Sequence, residues 1–174
     1  YLSRTAKPRV YTVAPNPEDP RHSMAIRRTG LPECPQLRIV RIDGSLFFGA
    51  VNHVAETFHL FESRDPARTH MLIVASGINF IDSAGLELLA QQARRLRKLG
   101  GDLYLCDVKE GLCEPIRSGG YLQAIGEENI FRLKSDAIAE IFSRLNYAIC
   151  RGCTTRIFYE CRTVKAAQDK RLET

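Results

Sequence analysis

One stretch of the sequence, residues 69–101, constrains the fold more than any other. Met71 to Ala75 is a continuous apolar run, too short for a helix and typical of a strand buried on both faces. After a break at Ser76-Gly77, apolar residues recur at helical spacing until Gly100-Gly101, which predicts a helix. Its inward positions are Leu86, Leu89, Ala93, Leu96 and Leu99. A strand that leads into a helix in this way is the building block of an α/β sheet.

The connection between this strand and this helix, residues 79–85, is where such folds usually place their working residues. Asp82 and Ser83 can cap the helix, at a helix end that favours negative charge. A phosphate on Ser83 would be stabilised there and would add roughly two negative charges to the surface. The alternative is that Asp82 and Ser83 only cap the helix, and the residues alone leave both interpretations open.

Length and composition favour one domain that can bury a core of its own. The chain has 174 residues, of which 44% are hydrophobic and 26% are charged. The net charge of +5 is scattered along the chain, so nucleic acid is not a predicted partner. No run of about 18 apolar residues is present, which predicts no membrane-spanning helix in this sequence. The first residue is Tyr1 rather than Met, and we therefore expect a processed product or a fragment of a longer polypeptide.

Proline and patterning divide the chain into three parts. Six of the eight prolines fall within residues 1–35, which predicts a linker or an irregular segment with at most two short edge strands, over residues 9–13 and 23–28. Residues 36–149 contain the periodic segments and are assigned to the domain. Residues 150–174 form a polar, basic tail with no clear period.

Within the domain, strand and helix patterns alternate. Residues 36–50 predict a hairpin, because Asp43-Gly44 lies between two β-rich runs, and Phe47 and Phe48 of its second strand are interpreted as core residues. The alternation that follows predicts a mixed sheet with parallel pairs. Further helices are predicted over residues 52–62 (capped by Asn52), 110–118 and 135–147 (capped by Ser135 and Asp136), and further strands over residues 102–108 and 129–133.

The sequence predicts no catalytic residue and no cofactor. Ser83 lies in no G-x-S-x-G motif, the four histidines show no triad or metal spacing, and no nucleotide-binding glycine motif is present. Cys150 and Cys153 form a C-x-x-C motif, followed by Cys161, which could bind zinc or take part in redox chemistry. A structural zinc site needs four ligands and this segment supplies three, so we favour reduced thiols without a metal. Cys106, within a predicted buried strand, is interpreted as a small core residue.

Several motifs together resemble one family. The segment Asp82-Ser83-Ala84-Gly85-Leu86 resembles the signature loop of STAS domains, which occur in anti-sigma factor antagonists and at the cytoplasmic C-terminus of SulP (SLC26-type) anion transporters. The SulP branch is similar in three further places: residues 35–50, residues 124–131, and the run from Cys150 to Cys161. The resemblance covers about residues 35–161. It implies an α/β STAS fold, with a mixed central sheet of about 4–6 strands flanked by about 4–5 α-helices.

The resemblance also implies a function. The chain would be a non-catalytic regulatory and protein-interaction module of a transporter for sulfate, bicarbonate or dicarboxylate anions. It would lie at the cytoplasmic face of the inner (plasma) membrane, after a transmembrane domain of the same polypeptide, in a homodimeric transporter that could also contact a cytosolic regulatory protein. The implied contact surface consists of Ile81, Asp82, Ser83, Ala84 and Gly85.

Two alternatives stay open at this point. In anti-sigma factor antagonists the serine that matches Ser83 is phosphorylated, so a free-standing antagonist switched at Ser83 is the first. We carry over the position of that serine and not its modification. The second is an enzyme or a metal protein that uses Cys150, Cys153 and Cys161.

Overall fold

The computed structural model describes residues 7–16, 24–26 and 30–165 of the chain. Within them, helices flank a seven-stranded mixed sheet. The strands are β1 (Arg9–Pro15), β2 (Met24–Ile26), β3 (Leu37–Leu46), β4 (His70–Val74), β5 (Ile78–Ile81), β6 (Asp102–Cys106) and β7 (Ile130–Phe131). The helices are α1 (Val51–Arg64), α2 (Ser83–Lys98), α3 (Glu110–Ser118), α4 (Tyr121–Ile125), α5 (Lys134–Arg144) and α6 (Tyr147–Gly152).

The sheet combines a parallel centre with an antiparallel edge. Strands β3, β4, β6 and β7 are parallel neighbours, whereas β1 pairs antiparallel with both β2 and β3. Six strands follow one path in the order β2-β1-β3-β4-β6-β7, and β5 pairs with the end of β3. The predicted mixed sheet with parallel pairs is therefore confirmed, and so is the α/β class.

Strand β4 separates two layers of core. Met71 and Ile73 face a layer that contains residues of α1, α2, α3 and α4, whereas Leu72 and Val74 face a layer built largely by α5 and the C-terminal segment. Because successive side chains of a strand point to opposite faces, a strand covered on both sides must be apolar at every position. This is the physical reason for the uninterrupted apolar run in the sequence.

The predicted hairpin over residues 36–50 is wrong. β3 runs through Asp43-Gly44 without a turn and ends at Leu46, with a shift of register against β5 near Gly44. Gly44 has a φ of +137°, and a Cβ at this position would lie 2.8 Å from the Cβ of Pro8. The Asp-Gly pair thus forms an irregularity within a long strand. The antiparallel neighbour of β3 is β1, and not a second strand of a hairpin.

The segment that was predicted as a loop, residues 79–85, is shared between a strand and a helix. Ile78–Ile81 forms β5 beside β3, and α2 begins at Ser83. The predicted helix is confirmed, but Leu99 is 54% exposed rather than inward, because α2 ends one residue before it.

Two predicted helix caps are wrong. α1 begins one residue before Asn52, and its N-cap is the buried Ala50, whose carbonyl accepts the N–H of Val54. α5 has Leu133 as its N-cap, so Ser135 and Asp136 lie inside its first turn. At α1 the cap position is a buried core residue, so tertiary packing overrides the preference for a polar cap, whereas Leu133 is 53% exposed.

The N-terminal and C-terminal segments contribute more to the sheet and its layers than their sequences suggest. The predicted edge strand over residues 9–13 is β1, which lies between β2 and β3 and is not an edge. The segment after α5 contains α6 and a short 3₁₀ turn, and Phe158 and Val164 are buried in the core. Isolated apolar residues anchor this segment, so it shows no period. Residues 1–6, 17–23, 27–29 and 166–174 lie outside the described part.

Candidate functional site

Asp82 connects the first turn of α2 to the end of β3. Its Oδ1 accepts the backbone N–H of Gly85 at 2.9 Å, and its Oδ2 accepts the backbone N–H of Phe48 at 3.0 Å. The backbone N–H of Asp82 in turn donates to the carbonyl of Leu46 at 3.0 Å. The predicted capping role of Asp82 is therefore confirmed, and the same carboxylate also fixes the turn that follows β3.

Gly85 is the point of closest approach between α2 and β3. A Cβ at this position would lie 2.5 Å from the carbonyl oxygen of Leu46 and 2.9 Å from Cγ1 of Ile81. These contacts leave no room for a side chain, so the glycine sets the distance at which the helix packs on the strand. Gly85 and Ile81 are both buried and cannot contact a partner without local rearrangement.

Ser83 is the exposed member of the predicted contact loop. Asp82 and Ala84 are half-buried, whereas Ser83 opens the first turn of α2 on the surface. Backbone N–H groups at this end of a helix give a local potential that favours negative charge. The geometry thus offers an accessible hydroxyl at a helix N-terminus.

Two exposed aromatic residues were missed by the sequence analysis. Phe48, predicted to be core, is 80% exposed, and Phe80 is 54% exposed. Phe48 donates its N–H to Asp82, and Phe80 lies in β5 two residues before it. The four residues of β5 are buried, exposed, exposed and buried in turn, a pattern without the period of two that marks a strand in a sequence. We define Phe48, Phe80, Asp82, Ser83 and Ala84 as the α2 N-terminal surface.

The histidines of the described chain are engaged away from this surface. His53 contacts the carbonyl of Pro8 at 3.2 Å, and His59 lies 3.9 Å from Glu62. His70 is buried, and its Nδ1 lies 3.0 Å from the hydroxyl of Tyr104. As the side chains are arranged, no three His, Cys, Asp or Glu residues of the described chain are placed to hold a metal ion.

A helix-flanked mixed sheet with an exposed serine at the start of its second helix places the chain among α/β domains. The profile of the STAS domain matches residues 26–137. The chain therefore belongs to the STAS domain family, whose members are typically non-catalytic.

Relatives of known identity include transporters and a regulator. Sulfate transporter 1.1 of Arabidopsis thaliana is 22% identical over 147 residues, which cover 79% of this chain and 23% of that protein. The murine Solute Carrier 26 family member A9 anion transporter shares the fold, with a TM-score of 0.71 and 18% identity over 82% of this chain and 23% of that one. The unphosphorylated anti-sigma factor antagonist SpoIIAA gives a TM-score of 0.53 with 18% identity, over 65% of this chain and 94% of that one.

The chain is thus a STAS domain that resembles those of SulP (SLC26-type) sulfate transporters, and anti-sigma factor antagonists share its fold. It spans about a quarter of the length of the transporters that it matches. In the described part of the chain, every helix is too short or too polar to cross a membrane.

Proposed function

We propose that this chain is the cytoplasmic STAS domain of a SulP-type anion transporter, in which it acts as a non-catalytic regulatory and protein-interaction module. One observation carries the proposal: the match to a sulfate transporter extends over 79% of this chain but only 23% of that protein. A remainder of that size is what a membrane domain and its connections would occupy. The transported anion would be of the sulfate, bicarbonate or dicarboxylate type.

The α2 N-terminal surface is the proposed contact region. Exposed aromatic side chains beside polar groups are typical of surfaces that bind another protein. Phe48 and Phe80 supply the apolar area, and Ser83 supplies an exposed polar group at the rim. The partner would be the transmembrane domain of the same polypeptide, a second protomer of a homodimer, or a cytosolic regulatory protein.

Fractionation of the source cells tests the transporter assignment. An antibody against this chain should detect a polypeptide much larger than 19.6 kDa, confined to membranes and resistant to carbonate extraction. A band of the chain's own size in the soluble fraction would overturn the assignment.

A pair of substitutions in the full-length transporter tests the surface. Phe80→Ser and Ser83→Glu should reduce uptake of labelled anion or dimer formation, while the domain keeps its melting temperature. Asp82→Ala is a poor probe because it also removes a helix cap. Leu133→Ser, at an exposed apolar residue of another region, is the matched control and should leave uptake unchanged. Normal uptake and assembly in the Phe80 and Ser83 variants would contradict this surface.

A second candidate function is a free-standing anti-sigma factor antagonist switched at Ser83. The exposed position of Ser83 at the start of α2 and the structural likeness to SpoIIAA favour it. Incubation of the chain with the cognate kinase, followed by mass analysis, distinguishes the two. Addition of one phosphate to the native chain, and none to Ser83→Ala, would favour the antagonist.

A further inference from the structure

Four of the six cysteines line one small cavity between the start of β3 and the C-terminal segment. Cys150, Cys153 and Cys161 come from the C-terminal segment, and the fold adds Cys34, which lies far from them in sequence and just ahead of β3. We call these four residues the thiol cluster. The rest of the cavity wall is largely apolar, with Phe142, Leu145, Phe158 and Val164 among its residues.

Two members of the thiol cluster have backbone amides of following residues close to their sulfur atoms. For Cys34 these are the amides of Gln36 and Leu37, two and three positions later. For Cys153 they are the amides of Thr155 and Arg156, again two and three positions later. Paired N–H donors disperse the charge of a thiolate and fix the direction of its sulfur, as outer-shell partners do for metal ligands.

Gln36 orients a third cysteine. Its side-chain Nε2 donates to the sulfur of Cys150 at 3.3 Å and to the carbonyl of Asn146 at 3.1 Å, and its Oε1 accepts the N–H of Asn146 at 2.8 Å. Gln36 is buried. One side chain at the start of β3 therefore holds both the beginning of α6 and a member of the thiol cluster in place.

Arg156 supplies positive charge beside the thiol cluster. Its guanidinium donates to the carbonyls of Cys153, Cys161 and Val164 at 3.3, 3.1 and 2.8 Å, so it ties together the loop that carries two of the cysteines. The residue has a φ of +39°, which shows that this arrangement is maintained at a conformational cost. Its Nη2 atom is buried with no hydrogen-bond partner among the described residues. A partly buried guanidinium group of this kind is suited to compensating nearby negative charge.

We propose that Cys34, Cys150, Cys153 and Cys161 are the four ligands of a structural zinc site. The C-x-x-C spacing and an all-cysteine donor set are typical of tetrahedral zinc sites that join separate chain segments. The site would fasten the C-terminal segment to the beginning of β3. The objection from sequence, that only three ligands are present, is removed because the fold brings Cys34 to the other three.

Formation of the site exchanges protons for the metal ion. One Zn²⁺ and four thiols give four Zn–S bonds and up to four released protons, with no change of oxidation state, and the tetrathiolate complex carries a net charge of −2 that Arg156 partly compensates. Because the side chains as arranged do not converge on a single point, binding requires changes of side-chain rotamer at the cysteines.

Metal analysis of the purified chain tests this inference, which does not depend on the transporter assignment. After purification under reducing conditions without chelator, mass spectrometry of the metals should find about one zinc per chain. Cys34→Ser and Cys153→Ser should each lower the zinc content by roughly tenfold or more. Cys113→Ser is the matched control, because this cysteine lies on α3 outside the cluster, and it should keep the zinc.

A cobalt titration of the native chain avoids the problem of variants that fail to fold. Co²⁺ should give the visible absorption of a tetrahedral thiolate complex, and Zn²⁺ should abolish it. A chelator should lower the melting temperature of the native chain and of Cys113→Ser, but not of a folded Cys34→Ser. Zinc no higher in the native chain than in Cys34→Ser would overturn the proposal. A disulfide between Cys150 and Cys153 in the chain as isolated under reducing conditions would overturn it too.

Discussion

The Nδ1 atom of His70 lies 3.0 Å from the hydroxyl oxygen of Tyr104, across the neighbouring strands β4 and β6. The two rings are stacked, with centroids 5.9 Å apart. Burial lowers the pKa of His70, because it disfavours the charged imidazolium, and the positive charge of Arg144 acts in the same direction while Asp102 opposes it. The folded protein therefore disfavours the protonated form of this histidine.

Protonation of His70 should make the folded state less stable in mild acid. The folded pKa is below the unfolded value of about 6.5, so the unfolded chain binds more protons as the pH falls through that range. The stabilisation is complete above about pH 7 and is lost progressively as the pH falls below the unfolded value. Urea unfolding of the native chain from pH 8 to 5 measures this loss. His70→Gln should flatten the profile, whereas His59→Gln, at an exposed position, should not.

Asp82→Ala should destabilise the domain by roughly 1–2 kcal/mol, because it removes a helix cap and the acceptor for the N–H of Phe48. Asp82→Asn keeps only one of the two acceptor oxygens and should recover only part of this loss. Ser83→Ala should change the free energy of unfolding by less than about 0.5 kcal/mol, since the side chain is exposed. Urea unfolding compares the three variants. Equal stability of Asp82→Ala and the native chain would show that the cap is dispensable.

Gly85→Ala and Gly111→Ala should have opposite effects. Helix propensity alone favours alanine in both positions, by up to about 1 kcal/mol. At Gly85 the new Cβ would lie 2.5 Å from a backbone carbonyl, so we expect destabilisation of about 1–3 kcal/mol. At Gly111, in the first turn of α3, a Cβ would meet no atom within 4 Å, so this variant should be as stable as the native chain or more so. Thermal unfolding of both variants measures the difference.

Asp43 joins β1 to β3 through its carboxylate. Tyr11 donates to it from its hydroxyl at 2.6 Å and Arg41 from its Nε at 2.8 Å. Partial burial acts to raise the pKa of Asp43, but these hydrogen bonds and the charges of Arg41 and Arg9 outweigh it, so the pKa is lowered.

Asp43→Asn should therefore destabilise the domain at neutral pH and make it less sensitive to acid. The lowered pKa stabilises the fold above the unfolded value of about 4, and this contribution is lost as the pH falls below it. Unfolding curves at pH 7, 5 and 3 measure the effect. Glu110→Gln, at an exposed carboxylate, is the control and should retain the native profile. An unchanged acid profile in Asp43→Asn would exclude this role.

Local patterns predicted the elements whose periodicity is complete within a short segment. Strand β4 follows from five consecutive apolar residues, and α2 and α3 follow from helical spacing closed by glycine pairs. The capping role of Asp82 was also predictable, because a cap depends on atoms three residues away. In these places the chain supplies its own hydrogen-bond partners, and the sequence carries the information in full.

Tertiary structure decided the features whose partners lie far along the chain. Asp43-Gly44 has the sequence of a hairpin turn, yet β1 pairs with this region and the strand continues through it. Phe48 has the large apolar side chain that is typical of core residues, yet it is exposed in the turn after β3.

The same division applies to the candidate sites. The sequence by itself determined the family, the alternating architecture and the position of Ser83 at the start of a helix. Only the folded chain shows that Ile81 faces the core and that Phe48 and Phe80 face outward. Only the fold brings Cys34 to the C-terminal cysteines. The physical reason is that burial and side-chain convergence depend on packing between distant segments, which local periodicity does not encode.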